Sequence, residues 1–305
     1  MVELKRNLVP EYEVNPGSIG IATATLYPDW HPEKAANSIS QVRGNLAINF
    51  VKEVKSAGYQ MVVVDGGSSS EFKSELANLG IQVRPEQQKG MSPGRRQAFR
   101  EASSLPGVEV VCWSEPEKIS FVRDCLPKAA IPILTGTADM VVPKRDEQAL
   151  STYQYDQIHA EEKTNRFWND ALRAHHLLPE DTEYFDFCFG PRLFRNTPHV
   201  REVFMKAFEF NQRGLALDRI INPELWPDAS LLPIVTALHE GLRVVSVTVP
   251  YRHPEEQTKI ETVMSAPKRK VDIQYKNAVV SLIQYIRFLE NNPAKKSRLS
   301  PINTE

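Results

Sequence analysis

Residues 108–118 read VEVVCWSEPEK. The first six form an almost continuous apolar run, the pattern of a strand buried on both faces. The next five place two carboxylates, Glu115 and Glu117, on either side of a proline. Ligands of open α/β sheets bind beyond the carboxyl ends of the strands. Two carboxylates at such an end suit a divalent cation shared with phosphate oxygens, because Mg²⁺ and Mn²⁺ favour oxygen ligands. Pro116 restricts the backbone between them. Taken alone, SEPEK also reads as an ordinary solvated turn.

Working outward, residues 18–26 (SIGIATATL), 59–64 (YQMVVV) and 81–84 read as further strands. Residues 38–57 place Ile39, Val42, Leu46, Phe50 and Val54 at helical spacing. Residues 70–79 read as a helix stopped by Gly80, and 95–103 as another. Strand and helix alternate as far as this stretch. That predicts an α/β chain with a Rossmann-like, mostly parallel central sheet and helices on both faces. Strands are expected at 138–142 and 242–249, and helices at 147–175, 197–209, 229–240 and 275–291. Tyr153, Ile158, Phe167 and Trp168 are the inward positions of the 147–175 helix. The apolar 275–291 helix is expected to pack on the core of its own chain, a second subunit of a homo-oligomer being the alternative. The tail after Pro293 is expected to be disordered.

Composition removes several classes. The 305 residues are 41% hydrophobic and 25% charged, ordinary for a globular protein. A net charge of -1 gives no electrostatic footprint for nucleic acid. The three cysteines show no CxxC spacing, against a zinc site, and their sparse number speaks against a disulfide scaffold. No run approaches the roughly 20 apolar residues of a membrane span, and the first residues lack a signal-peptide core, so the expected location is cytoplasmic. GxGxxG, P-loop and GxSxG patterns do not occur, which sets aside dinucleotide, P-loop and serine-hydrolase chemistry.

Five more segments could carry chemistry. DGGSSS at 65–70 puts Asp65 at a strand end, followed by helix-capping serines. KGMSPGRR at 89–96 couples glycines with Lys89 and Arg95 before a helix, a setting suited to anions. YRHP at 251–254 places His253 just past a strand, where an imidazole could bind a metal. FDFCFGPR at 185–192 and WPD at 226–228 set Asp186 and Asp228 among aromatic residues; such rings stack on sugars, and a partly desolvated carboxylate can act as a base. Each also reads as a plain loop, cap or core segment.

In order along the chain these segments resemble the GT-A fold glycosyltransferases, in particular the family 2 type and the mannosylglycerate synthase type. The resemblance covers residues 18–255 and implies several roles. Thr23, Thr25, Leu26, Tyr27 and Asp65 would hold the nucleoside of a UDP- or GDP-sugar, with Lys89, Gly90 and Arg95 on its phosphates. Glu115-Pro116-Glu117 would stand for the family's DxD, with Glu115, Glu117 and His253 as ligands of Mn²⁺ or Mg²⁺. Glu replaces Asp at both positions, which lengthens each arm by one methylene. Asp186, Gly190, Arg192 and Trp226 would face a small-molecule or glycan acceptor. Asp228 would be the base of an inverting reaction, with Glu117 acting through the metal.

The implied organisation is an extension at 1–17, a GT-A domain at 18–255, a C-terminal helical segment at 256–292 and a tail at 293–305. The domain divides into a nucleotide-sugar-binding half, 18–145, and an acceptor half, 146–255. The implied activity is glycosyl transfer with a divalent cation. The alternative is a degenerate GT-A protein that binds nucleotide or a protein partner without turnover. A nucleotidyltransferase ranks lower, because TLYPDWHPEK at 25–34 lacks the GxGTRxxP-like loop of that group.

Overall fold

The computed structural model describes residues 13–180, 182–207 and 228–263, together with residues 282 and 286. The first part of the chain runs β1 (Ile19–Thr25), α1 (Ile39–Ser56), β2 (Gln60–Asp65), α2 (Ser70–Asn78), β3 (Val83–Pro85), α3 (Met91–Ser103) and β4 (Val110–Trp113). The second part runs α4 (Leu126–Leu134), β5 (Met140–Arg145), α5 (Glu147–Leu150), α6 (Tyr155–Ala174), β6 (Arg192–Arg195), α7 (Pro198–Met205), α8 (Asp228–His239), β7 (Val244–Val249) and α9 (Glu255–Val263). The expected α/β alternation is present.

The strands form one sheet in the order β3-β2-β1-β4-β6-β5-β7. Only β6 runs antiparallel to its neighbours β4 and β5; the other pairings are parallel. The carboxyl ends of β1, β2, β3, β4, β5 and β7 therefore share one edge, with the amino end of β6 among them. The strand order reverses between β1 and β4. A crevice opens at such a switch point.

Alternation along the strands assigns the two faces. Ile19, Ile21, Met61, Val63, Val110, Cys112 and Val141 belong to one core, with Phe50, Val54, Phe72 and Leu126 from α1, α2 and α4. Ala22, Val62, Val64, Val111, Trp113, Met140 and Val142 belong to the other, with Phe99, Trp168, Val203 and Ile234 from α3, α6, α7 and α8. Both faces being covered explains why these strands read as unbroken apolar runs. Leu282 and Ile286 are helical and buried in the second core, so this part of the 275–291 helix packs on its own chain. The rest of that segment, residues 1–12 of the 1–17 extension and the tail lie outside the described residues. Among the described residues no helix is long and apolar enough to cross a membrane. All three cysteines are free.

Two expectations need correction, and one helix went unread. The helix expected from residue 95 begins at Met91, with Gly90 (φ 124°) at its N-cap. Pro93 falls in the first turn, where no N–H is needed, so it does not delay the helix. The single helix expected over 147–175 is two, broken at residues 151–154. The break turns Tyr153 inward against Tyr251 and His253. Finally, α4 escaped the periodicity reading because LPKAAIPIL carries prolines at its first turn and in its interior.

The long connection from β1 to α1 is locked onto that helix. Trp30 donates its indole N–H to Asn45 Oδ1 at 2.9 Å and packs edge-on against Phe72. Gln41 accepts the His31 N–H and donates to the His31 carbonyl. The indole lies directly on Gly44, and a Cβ there would enter its van der Waals envelope. Alanine normally improves a helix interior by about 0.5–1 kcal/mol over glycine. Gly44→Ala is expected to do the opposite. Overpacking should cost about 1–3 kcal/mol, read as a lower urea midpoint with an altered Trp30 fluorescence.

Candidate active site

The site is built on the shared edge, around the β1–β4 crevice. At the end of β4, Glu117 is only 3% exposed. Its Oε1 accepts the Tyr27 hydroxyl at 2.7 Å and the Arg43 Nε at 2.7 Å. Tyr27 comes from the end of β1 and Arg43 from α1, so three elements meet on one oxygen. Tyr27 is held by its backbone N–H to Ser68 Oγ at 2.9 Å and by its ring against Phe72. Burial, followed by the adjacent Glu117 charge, pushes the Tyr27 hydroxyl well above its ordinary pKa.

Glu115 has different surroundings. Its Oε2 is buried without a hydrogen-bond partner, and Lys118 Nζ stands 4.0 Å away. Burial opposes ionisation of Glu115, but Lys118 and Arg95 outweigh it and hold the carboxyl below its usual range. Arg95 reaches this position across the face of Trp113, 5.0 Å from the ring centroid. Gly190 presses against the Glu115 carboxylate so closely that a Cβ would overlap its oxygens. Gly190, expected to face an acceptor, thus makes room for Glu115.

The remaining donor-side positions fall as follows. Thr23 donates to the Ser114 carbonyl at 2.8 Å, tying β1 to the start of the acidic turn. Asp65 is buried; it accepts the Thr25 hydroxyl at 2.9 Å and the backbone N–H groups of Gly67 and Ser68. Those contacts fill most of the capacity of a carboxylate. Leu26 is 62% exposed on this edge and lies beside Gly66 and Gly67. Lys89 is exposed, and Gly90 starts α3. Sequence reasoning missed Glu86, whose carboxylate borders Gly66 and Gly94. Burial raises its pKa, a hydrogen bond from the Gly90 backbone opposes this, and Asp65 adds to the rise.

On the acceptor side, Asp186 is committed to Arg145. It takes Arg145 Nε on Oδ2 at 2.7 Å and NH2 on Oδ1 at 2.9 Å, with Asn165 Nδ2 and the Phe189 N–H also on Oδ1. Arg145 also pairs with Glu161 at 2.7 Å and lies over the Tyr153 and Phe189 rings. Arg192 is fully buried and donates to the carbonyls of Phe187, Phe189 and Pro191. Both groups fold the 185–192 segment, and neither had these partners in the sequence reading. Asp228 is the first residue of α8, but its side chain, like all of Trp226, lies outside the described residues.

His253 stacks on Tyr153 at 4.2 Å, with Nδ1 3.5 Å from the Tyr251 hydroxyl. Its Nε2 is buried without a partner. Among the described residues no three His, Cys, Asp or Glu side chains gather as a set able to hold a metal ion. The ligand set Glu115, Glu117 and His253 is therefore brought to one edge but not to one point. Arg43 and Lys118, each beside one of the two glutamates, were not singled out. A lone charge on an amphipathic helix and a lysine in a turn give no signal in one sequence.

No family model matches the sequence, and no curated protein matches it. Solved structures do match by shape. Glucosyl-3-phosphoglycerate synthase from Mycobacterium tuberculosis, solved with Mn²⁺, UDP and glucosyl-3-phosphoglycerate, superposes with a TM-score of 0.53 at 11% identity, over 89% of this chain and 80% of that one. The same enzyme with Mn²⁺, UDP-glucose and phosphoglyceric acid gives 0.51 at 12%, over 89% and 80%. A further mycobacterial protein gives 0.53 at 13%, over 89% and 75%. The chain has the GT-A fold. At these identities the likeness speaks to architecture. In GT-A terms, Glu115-Pro116-Glu117 ends the fourth strand and β6 is the antiparallel strand of a mixed sheet.

Two outcomes follow from this geometry. Burial, then Lys118, Arg145 and Arg43, pushes the His253 imidazole down to about 3 from its ordinary value of 6.5. Between those values the unfolded chain binds a proton that the folded chain refuses, so stability falls as pH drops through that window. The urea midpoint should fall from about pH 7 to about pH 5, and His253→Asn should flatten that part of the curve. Gly190→Ala should displace Glu115 and cost about 1–3 kcal/mol by overpacking, with the moved carboxylate visible in a crystal structure of the variant.

Proposed function

We propose that this chain transfers a sugar from a nucleoside-diphosphate-sugar, with UDP or GDP as the nucleotide, to a small-molecule or glycan acceptor. The observation that carries this reading is the placement of the acidic turn. Glu115 and Glu117 follow β4 at the switch point between β1 and β4, beside the end of β1, and α/β proteins bind nucleotides at such points. The exposed Leu26 beside Gly66–Gly67 offers an apolar ledge for a base. Arg95 and the start of α3 lie where phosphates would be met. The structurally similar synthase, solved with UDP-glucose and phosphoglyceric acid, supports the same class of reaction.

Asp228 remains the base we assign to an inverting reaction; a retaining one would not need it. A domain spanning 18–255, divided near residue 145, and a cytoplasmic location are part of the same proposal. The second reading, nucleotide binding without turnover, is favoured by one observation: Glu117 is engaged by Arg43 and Tyr27 instead of standing free.

Donor hydrolysis separates the two. The full chain should release UDP or GDP slowly from one member of a panel of UDP- and GDP-sugars, assayed with and without Mn²⁺, and Asp228→Asn should lower transfer while nucleotide binding persists. Nucleotide binding with no release from any donor would favour the second reading. No binding at all would sink both.

A further inference from the structure

Each carboxylate at the end of β4 already has a side-chain cation of its own. Glu117 Oε1 holds Arg43 Nε at 2.7 Å, and Glu115 Oε2 faces Lys118 Nζ at 4.0 Å. The donor set for a divalent ion is correspondingly thin. Among the described residues no three His, Cys, Asp or Glu side chains converge. The residues assigned to Mn²⁺ or Mg²⁺ therefore do not fit such an ion as they are arranged here.

The two cations have donors to spare. Arg43 hydrogen-bonds to the described residues through Nε alone, its side chain is 38% exposed, and the Glu261 charge acts on it beside that of Glu117. With Nε on Glu117, the two terminal guanidinium nitrogens have no hydrogen-bond partner among the described residues, and such a pair of donors matches two phosphate oxygens at once. The Lys118 ammonium hydrogen-bonds to none of the described residues, its nearest carboxylate oxygen being Glu115 Oε2 at 4.0 Å. Its ammonium rests 5.0 Å from the Phe189 ring centroid and 5.1 Å from that of Tyr251, with 15% of the side chain exposed.

Resting on the nucleotide-sugar reading above, we propose that Arg43 and Lys118 take the place of the divalent cation, binding the donor diphosphate directly so that neither donor binding nor transfer needs a metal ion. The chemistry balances without one. The bond between the anomeric carbon and the β-phosphate oxygen breaks, and that oxygen keeps the electron pair. The acceptor oxygen forms the new bond to the anomeric carbon and gives its proton to a base or to water. The nucleoside diphosphate leaves with one more negative charge, and the guanidinium and ammonium meet that charge as it develops. Glu117 is then a positioning residue for Arg43.

Calorimetric titration of the full chain with UDP and with GDP, first in EDTA and then in Mn²⁺, tests this. One of the two should bind in EDTA within about threefold of its affinity in Mn²⁺. Arg43→Gln should lose about ten- to a hundredfold in that affinity, the worth of charged hydrogen bonds to phosphate, while binding of the bare nucleoside is unchanged. Arg43→Lys should recover part of the loss. Because Arg43→Gln strands a buried carboxylate, the paired variant Arg43→Gln/Glu117→Gln and the separate variant Lys118→Gln are measured too, each after a melt establishes that it folds. Both should show the loss in EDTA. Binding that appears only with Mn²⁺ would overturn the proposal and leave the nucleotide-sugar reading standing. Variants that bind the diphosphate as tightly as the parent would overturn it as well. Absence of binding in both conditions would overturn the nucleotide-sugar reading and this proposal with it.

Discussion

A carboxylate taken out of water must be paired, and Glu117 is almost wholly buried. That constraint organises the site. Tyr27 and Arg43 both converge on Oε1, so the end of β1, the end of β4 and the flank of α1 are fixed by one oxygen. Removing one partner of such a buried pair typically costs about 3–5 kcal/mol, because the other is left uncompensated. The route back to sequence is concrete. The connection that carries Tyr27 to Glu117 is fastened to α1 through Trp30 on Asn45 and His31 on Gln41. That fastening in turn needs a residue without a side chain at position 44.

The opposite half of the site obeys the same rule with other residues. Arg145 ends β5 and Asp186 lies in the loop before β6, and their paired contact, with Glu161 added from α6, holds that loop against the sheet. Arg192 gathers the carbonyls of Phe187, Phe189 and Pro191 around itself. Buried ion pairs contribute little net stability compared with apolar packing. Their effect here is to set the path of the 185–192 segment, and with it the closeness of Gly190 to Glu115. Glu115 and Glu117 are two residues apart, yet one gathers two donors on a single oxygen and the other keeps a buried oxygen without a hydrogen bond.

The sheet was legible in the sequence because strands covered on both faces leave continuous apolar runs at 18–26, 59–64 and 108–113. Helix α1 was legible from its spacing. What failed were places where a local rule has two outcomes. Proline reads as a breaker, but in α3 it occupies the first turn, and in α4 the surrounding core holds a helix across Pro132. The 151–154 break had no Gly or Pro to announce it; the stacking of Tyr153 on His253, a contact across about a hundred residues, decides it. In the site, the positions Tyr27, Asp65, Glu115, Glu117 and His253 were visible by their place after strands. Their partners were not, because Arg43, Lys118 and Glu86 become neighbours only through the fold.

Those partners determine what the crevice can receive. Arg145 and Arg192 are spent on Asp186, Glu161 and backbone carbonyls. Arg43 and Lys118 are less committed: the terminal nitrogens of one have no hydrogen bond to the described residues, and the ammonium of the other meets Glu115 only at 4.0 Å. On the acceptor side of the ledger stands Glu115 Oε2, while the role of His253 Nε2 depends on which ring nitrogen carries the proton. An entering cation would find one carboxylate oxygen already facing Lys118. An entering dianion would meet the Arg43 guanidinium and the Lys118 ammonium beside the ends of β1 and β4, the guanidinium held by a carboxylate that cannot leave without stranding its own charge. The pairing that makes Glu117 tolerable in the interior is thus the same pairing that aims positive charge into the crevice.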